Sequence, residues 1–164
     1  MERIFSSRFF TPAFLLLMAT SVIIAYSNTT RGAFQFDDIP SIVENPSVQN
    51  ASAFFQTLTG PRGVTLATFH LNFAFGGLDT FGYHAVNLLI HITNGILAYL
   101  VLTHAFTASG ALAPRARRLA ALSVLIFALH PIQTQAVSYI VQRMETLSAL
   151  FTLASVLLLI KASA

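Results

Sequence analysis

Long uncharged runs separated by short polar segments constrain the fold of this chain more than any other feature. Residues 9–27 contain no charged side chain, and neither do residues 80–114. Two shorter apolar runs follow, at 119–132 and 147–160. A helix rises about 1.5 Å per residue, so about 20 apolar residues cross the roughly 30 Å hydrocarbon core of a bilayer. The grouping therefore predicts membrane-spanning helices.

The composition agrees with this interpretation. Of the 164 residues, 55% are hydrophobic and 9% are charged, whereas an ordinary soluble domain carries about 25% charged residues. The predicted fold class is an all-α integral membrane protein, a partial bundle forming one membrane domain over residues 1–164. The expected spans lie at about 9–27, 84–106, 117–133 and 144–161.

The positions of the basic residues predict the orientation of the spans. The net charge of +3 and the pI near 9.8 do not indicate nucleic-acid binding, because the basic residues form no face or stripe. The loop at 107–116 and the residues just after it hold Arg115, Arg117 and Arg118 and no acid, so the positive-inside rule places this loop in the cytoplasm. We therefore expect a multi-pass protein of the plasma (inner) membrane with a cytoplasmic amino terminus.

The first run also allows another interpretation. Arg3 and Arg8 precede it, and Ala25-Tyr26-Ser27 resembles a weak cleavage site, so a signal peptide is the alternative to a first span. The run is long for a signal peptide, which favours the span.

The segment 28–82 is expected to be an ordered extracytoplasmic loop. Its pieces at Ser47–Leu58 and Val64–Phe75 look amphipathic, and the second is apolar enough to lie in the membrane interface. The chain has no cysteine, which excludes disulfides, thiolate metal sites and a cysteine nucleophile.

The first candidate site is the acidic pair Asp37-Asp38, about ten residues after the first span. A carboxylate here could act as general base on an acceptor hydroxyl. Adjacent side chains of an extended segment point to opposite sides, so one acid could face a substrate while the other binds a metal or fixes the loop. The alternative is a solvated turn at Asp37-Asp38-Ile39-Pro40, which this composition readily forms.

The second candidate is Arg143, a single cation in the second outer loop. A guanidinium near the interface could hold a lipid phosphate through two parallel hydrogen bonds. The alternatives are an interfacial anchor or a partner of Glu145.

A third candidate is the polar stripe of Asn87, His91 and Asn94, whose spacing places all three on one face of the second span. Buried polar groups in a membrane need partners, so this face is expected to meet another helix, or less readily a ligand. The histidines have no metal-like spacing, and none is assigned to a metal.

Four segments in order resemble the GT-C membrane glycosyltransferases related to the transmembrane and tetratricopeptide-repeat O-mannosyltransferases, including their bacterial relatives. The first is Phe36-Asp37-Asp38 with Asn45-Pro46, and the second is Leu66–Asn72. The others are Gly76–His91 and Phe127–Val137. The resemblance covers nearly the whole chain.

The resemblance implies that Asp37 or Asp38 is catalytic, that the donor is a polyprenyl-phosphate sugar, and that an acceptor protein receives the sugar outside the cytoplasm. It also implies inversion at the anomeric carbon, with Arg143 as the cation that stabilises the lipid phosphate. His130 and Gln135, together with Asn87 and His91, are candidates for supporting this site. Membrane lipids are the surroundings, and no organic cofactor is expected.

The chain departs from the family pattern at several positions. Phe36 stands where the family commonly has tryptophan, Pro61-Arg62 reverses the usual arginine-proline, and Gln135 replaces a glutamate. The glutamine removes an outer carboxylate, which leaves a divalent cation possible but unassigned.

Family members have more spans and commonly a soluble repeat region, and no repeat of about 34 residues is present here. The expectation is therefore the amino-terminal membrane part of a larger transferase, which is not active alone. The alternatives are a non-catalytic membrane subunit that binds a lipid-linked sugar or a partner protein, and a small structural subunit. A structural subunit has no need of Asp37 and Asp38.

Overall fold

A computed structural model describes residues 9–57 and 59–163, and these residues form helices and connecting turns without a strand. The predicted all-α membrane fold is confirmed. The α-helices are α1 (Phe10–Tyr26), α2 (Pro46–Gln49), α3 (Ala51–Thr57), α4 (Gly63–Gly76), α5 (Thr80–Ala108), α6 (Ala116–Leu129), α7 (Gln133–Ser138) and α8 (Arg143–Ala162). Short 3-10 turns lie at Ser27–Arg31, Ala113–Arg115 and Ile140–Gln142, and one π-helical turn at Ile39–Val43.

Three stretches are long and apolar enough to cross a membrane, at Phe10–Arg31, Thr80–Ala108 and Ile140–Ala162. They overlap the first, second and fourth predicted spans. The third predicted span, 117–133, is interrupted: α6 ends at Leu129, and the chain bends by 51° before α7. Pro131 lacks the N–H that would continue the helix, which explains the break. The chain is a multi-pass membrane protein, with three or four spans within the part that the structure describes.

The long helix α5 is the centre of the bundle. Thr11 of α1 pairs with Tyr99 of α5 at 3.1 Å, whereas Tyr26 at the other end of α1 packs against His91, so these helices are antiparallel. A Cβ on Gly95 would lie 2.8 Å from Sδ of Met18. The missing side chain at Gly95 therefore lets α1 approach α5 closely, as small residues do between membrane helices.

The two ends of the helix bundle differ in structure. Among the described residues, one end carries the short loop between α5 and α6 with the start of α1 and the end of α8. At the other end, α2 to α4 pack over the start of α5 around an apolar cluster of Ile42, Val48, Phe69, Tyr83 and Ile140. This end, called the loop-rich end below, holds the acidic pair. Arg3 and Arg8, which precede the first predicted span, lie outside the described residues.

Candidate functional site

The two acids of the candidate site have different surroundings. Asp38 is 1% exposed, and its carboxylate accepts hydrogen bonds from the backbone N–H of Gln35 at 3.0 Å and of Val141 at 2.7 Å. Asp37 is exposed, and its backbone N–H donates to the hydroxyl of Tyr139 at 2.9 Å. The segment after α7 therefore fixes the acidic loop through two contacts about 100 residues away in sequence.

Burial changes the acidity of Asp38. Loss of hydration is the largest influence and raises the pKa of this carboxyl above its usual range, while the two backbone hydrogen bonds and nearby His84 act in the opposite direction. The negative charge of Asp37 adds a small further rise in the pKa. A carboxylate with a raised pKa is a better proton acceptor than an ordinary aspartate.

Asp38 lies in the wall of an open cavity of about 500 Å³. The other walls come from the turn after α1, from the start of α5 and from α7. They include the polar side chains of Thr29, Gln35, His84, Thr134, Gln135, Ser138 and Tyr139 and the ring of Phe36. No lysine or arginine is among the described residues of this wall. The cavity therefore offers amide, hydroxyl and imidazole groups next to one carboxylate, on walls that are otherwise mostly apolar.

Arg143 does not face this cavity. Its side chain is fully buried, and it donates to Oδ1 of Asn87 at 2.7 Å, Oδ1 of Asn72 at 2.7 Å and the carbonyl oxygen of Tyr83 at 2.9 Å. The guanidinium also lies 4.5 Å from the ring centre of Phe69. The expected contact with a lipid phosphate does not fit this burial, because four hydrogen bonds, including one to Oγ1 of Thr68 at 3.2 Å, hold the guanidinium inside the protein.

The buried guanidinium instead joins three elements. Its acceptors belong to α4 and α5, while Arg143 itself begins α8, two residues after the N–H that binds Asp38. Arg143 thus holds the turn that positions the acid.

The polar stripe of α5 packs against neighbouring helices. His91 Nε2 lies 3.0 Å from the carbonyl oxygen of Ala128, and Asn94 donates to the carbonyl oxygen of Thr146 at 2.9 Å. Asn87 binds Arg143. Helix packing, the favoured interpretation, is what these contacts show, and Asn87 and His91 do not line the cavity.

The two remaining candidates from the sequence, Gln135 and His130, lie in different places. Gln135 lines the cavity with Asp38, whereas His130 is exposed outside it, and its Nδ1 accepts from the N–H of Ile132 at 3.1 Å. Sequence reasoning assigned none of His84, Ser138 and Tyr139 to the site. The available signals were that His84 lies within the family-like segment Gly76–His91, and that Ser138 and Tyr139 directly follow the segment Phe127–Val137. Among the residues that the structure describes, no group of three histidines or acids could hold a metal ion.

The fold and the placement of the cavity define an all-helical multi-pass membrane protein with an acidic pocket at its loop-rich end. Comparison with known proteins identifies its relatives. The chain is 32% identical over 165 residues to a protein O-mannosyl-transferase of Caenorhabditis elegans, with 90% of this chain and 23% of that protein covered.

Two further relatives give the same result. Identity is 33% to the protein O-mannosyl-transferase TMTC4 of Homo sapiens, with 96% of this chain and 24% of the relative covered. Identity is 31% to the protein O-mannosyl-transferase Tmtc3 of Drosophila melanogaster, with 87% of this chain and 18% of the relative covered. The chain is therefore related to the protein O-mannosyl-transferases TMTC1–4, which confirms the resemblance to these transferases. It spans about a quarter or less of the length of these relatives.

No protein-family profile matches the chain. No solved structure matches it either.

Proposed function

We propose that this chain is the amino-terminal membrane part of a GT-C glycosyltransferase, which transfers a sugar from a polyprenyl-phosphate donor to a hydroxyl group of an acceptor protein. The observation that carries the proposal is the buried carboxylate of Asp38 in the wall of the 500 Å³ cavity. The names of the relatives, protein O-mannosyl-transferases, support the reaction class. Transfer takes place on the extracytoplasmic side of the plasma membrane, and the amino terminus is cytoplasmic.

The lining of the cavity supports a sugar as the ligand. Neutral amides and hydroxyls such as Gln35, Gln135 and Thr134 exchange hydrogen bonds with sugar hydroxyls, and the rings of Phe36 and Tyr139 offer apolar faces. Without a lysine or arginine in the described wall, the cavity takes the sugar ring, and the lipid phosphate lies outside it.

Asp38 is the proposed general base. Its carboxylate takes the proton of the acceptor hydroxyl as the acceptor oxygen bonds to the anomeric carbon, and the bond from that carbon to the phosphate oxygen breaks. The phosphate leaves with the electron pair, and the configuration of the anomeric carbon is inverted. Asp37 sits beside the base and raises its pKa.

Arg143 has a different task in this proposal from the one expected from sequence. It binds no phosphate. It positions Val141, whose backbone N–H donates to the carboxylate of Asp38 at 2.7 Å. Tyr139 is the second positioning residue, through its bond to the backbone of Asp37.

The test is a transfer assay on the complete enzyme. Changing both Asp37 and Asp38 to asparagine should lower the rate by at least about 100-fold, which is the range expected for loss of a general base. Glu44→Gln is the matched control, since Glu44 is an exposed acid at the same end of the bundle and lies outside the cavity wall.

Undiminished transfer by the double variant would overturn the proposal. A non-catalytic membrane subunit, the alternative function, predicts that result.

A further inference from the structure

The end of the bundle opposite the cavity has a distinct charge. α1 and α6 are antiparallel to α5, whereas α8 runs parallel to it, because Asn87 meets Arg143 and Asn94 meets Thr146. The loop between α5 and α6 and the end of α8 therefore lie at the same end. Within residues 9–57 and 59–163, four cations and no acid lie there. Four of the acids, Asp37, Asp38, Glu44 and Asp79, lie at the loop-rich end, and Glu145 lies in the first turn of α8. The cations are Arg115, Arg117, Arg118 and Lys161.

Three of these cations lie around one cavity. Arg115, Arg117 and Arg118 are exposed, and together with Thr107 they line an open cavity of about 360 Å³. The positive-inside rule explains why such a loop carries basic residues, but it does not require them to share a cavity.

The local backbone holds the cavity in shape. Gly110 turns the chain after α5 with a φ of 64°, a conformation that glycine adopts without strain. Pro114 then lies in the 3-10 turn Ala113–Arg115, and the N–H of Arg115 donates to the carbonyl oxygen of Leu112 at 2.9 Å. The arginines therefore start from fixed backbone positions and lose less conformational freedom when they bind an anion.

We propose that the segment Arg115–Arg118 binds the phosphodiester headgroup of an anionic membrane lipid. Guanidinium groups bind phosphate oxygens through paired hydrogen bonds. The cavity lies where the apolar helix α5 ends and α6 begins, so lipid headgroups are expected at its level. Leu112, which is partly exposed beside the arginines, can contact the acyl chain. This position favours a lipid over a soluble phosphate, and the inference does not depend on the proposed transfer reaction.

The experiment compares lipid binding by the full chain in detergent micelles, using native mass spectrometry to measure dissociation constants for phosphatidylglycerol and phosphatidylcholine. The native chain should prefer phosphatidylglycerol. The double variant Arg115→Gln with Arg117→Gln should bind it about 30-fold more weakly, at about 1 kcal/mol for each arginine. Added salt should weaken the native binding.

The matched control is Arg31→Gln with Arg62→Gln, which removes the same charge from exposed positions at the opposite end. Its affinity for phosphatidylglycerol should equal that of the native chain. An equal loss in both double variants, or no preference for phosphatidylglycerol in the native chain, would overturn the proposal.

A second measurement uses the native chain alone, so that it does not depend on how the variants fold. Bound phosphatidylglycerol is challenged with inorganic phosphate at the same concentration as competing phosphatidylglycerol. Displacement by the lipid and not by phosphate supports a lipid site. Equal displacement by both shows a site for free phosphate and contradicts the proposal.

Discussion

At the scale of single residues, Phe36 is the one non-glycine residue with a positive φ in the described part of the chain. Its φ is 43°, in the left-handed region, and its side chain is 82% exposed. This conformation costs a non-glycine residue about 1 to 2 kcal/mol. The strain lies directly before the two acids, and strained residues of this kind cluster at functional sites.

Replacing Phe36 by asparagine should therefore raise the stability of the chain and lower the transfer activity of the complete enzyme. Asparagine tolerates the left-handed conformation, so the free energy of unfolding should rise by about 1 kcal/mol, as measured by thermal unfolding in detergent micelles. Transfer by the complete enzyme should fall, because the aromatic wall of the cavity is lost. Phe75→Asn is the control, since Phe75 is 89% exposed on the regular helix α4 and should give no gain. A loss of stability in Phe36→Asn would show that the backbone is not strained.

The neighbouring acids make a prediction about pH. The proposed role of Asp38 as general base requires its ionised form, so the rate of transfer should fall as the pH drops through its raised pKa. Asp37→Asn removes a nearby negative charge and lowers the pKa of Asp38, so the acidic limb of the rate profile should move to lower pH. The profile of the complete enzyme checks this, and movement to higher pH would contradict it.

At the scale of elements, Arg143 connects α4, α5 and the start of α8. Lysine keeps the charge but cannot reproduce the planar set of donors that reaches Asn72, Asn87 and Tyr83 together. Arg143→Lys should destabilise the chain by about 1 to 3 kcal/mol and speed hydrogen exchange at the amide of Val141. The exposed Arg62→Lys should do neither. Unchanged exchange at Val141 would show that Arg143 does not position the acidic loop.

The contact between α1 and α5 gives a second prediction at this scale. A side chain at Gly95 would meet Met18, which is completely buried. Gly95→Val should cost about 1 to 3 kcal/mol, and adding Met18→Ala should recover part of the loss. Gly76→Val is the control, because a Cβ there meets nothing within 4 Å. Additive effects of the two changes, measured by thermal unfolding, would show that the helices do not meet at this point.

At the scale of the whole molecule, the uncharged runs were sufficient to predict the membrane helices. Hydrophobic length is a local property, and Pro131 marks the interruption after α6. The residues of the candidate site were harder to predict from the sequence. Asp37, Asp38 and Gln135 could be selected because they lie in segments that resemble a family.

The role of Arg143 could not be predicted in the same way. Its acceptors Asn72 and Tyr83 lie 60 residues or more away in sequence, and only folding shows that they satisfy its donors. Tyr139 and His84 reach the cavity for the same reason, through the packing of α5 and α7.

The central claim is that the cavity beside Asp38 receives the sugar of a lipid-linked donor. Hydrogen exchange of this chain in lipid nanodiscs, with and without a polyprenyl-phosphate mannose, tests it most directly. The account predicts slower exchange confined to residues 29–38 and 134–139, the segments that form most of the cavity wall. Unchanged exchange in both segments, or protection found only elsewhere in the chain, would contradict it.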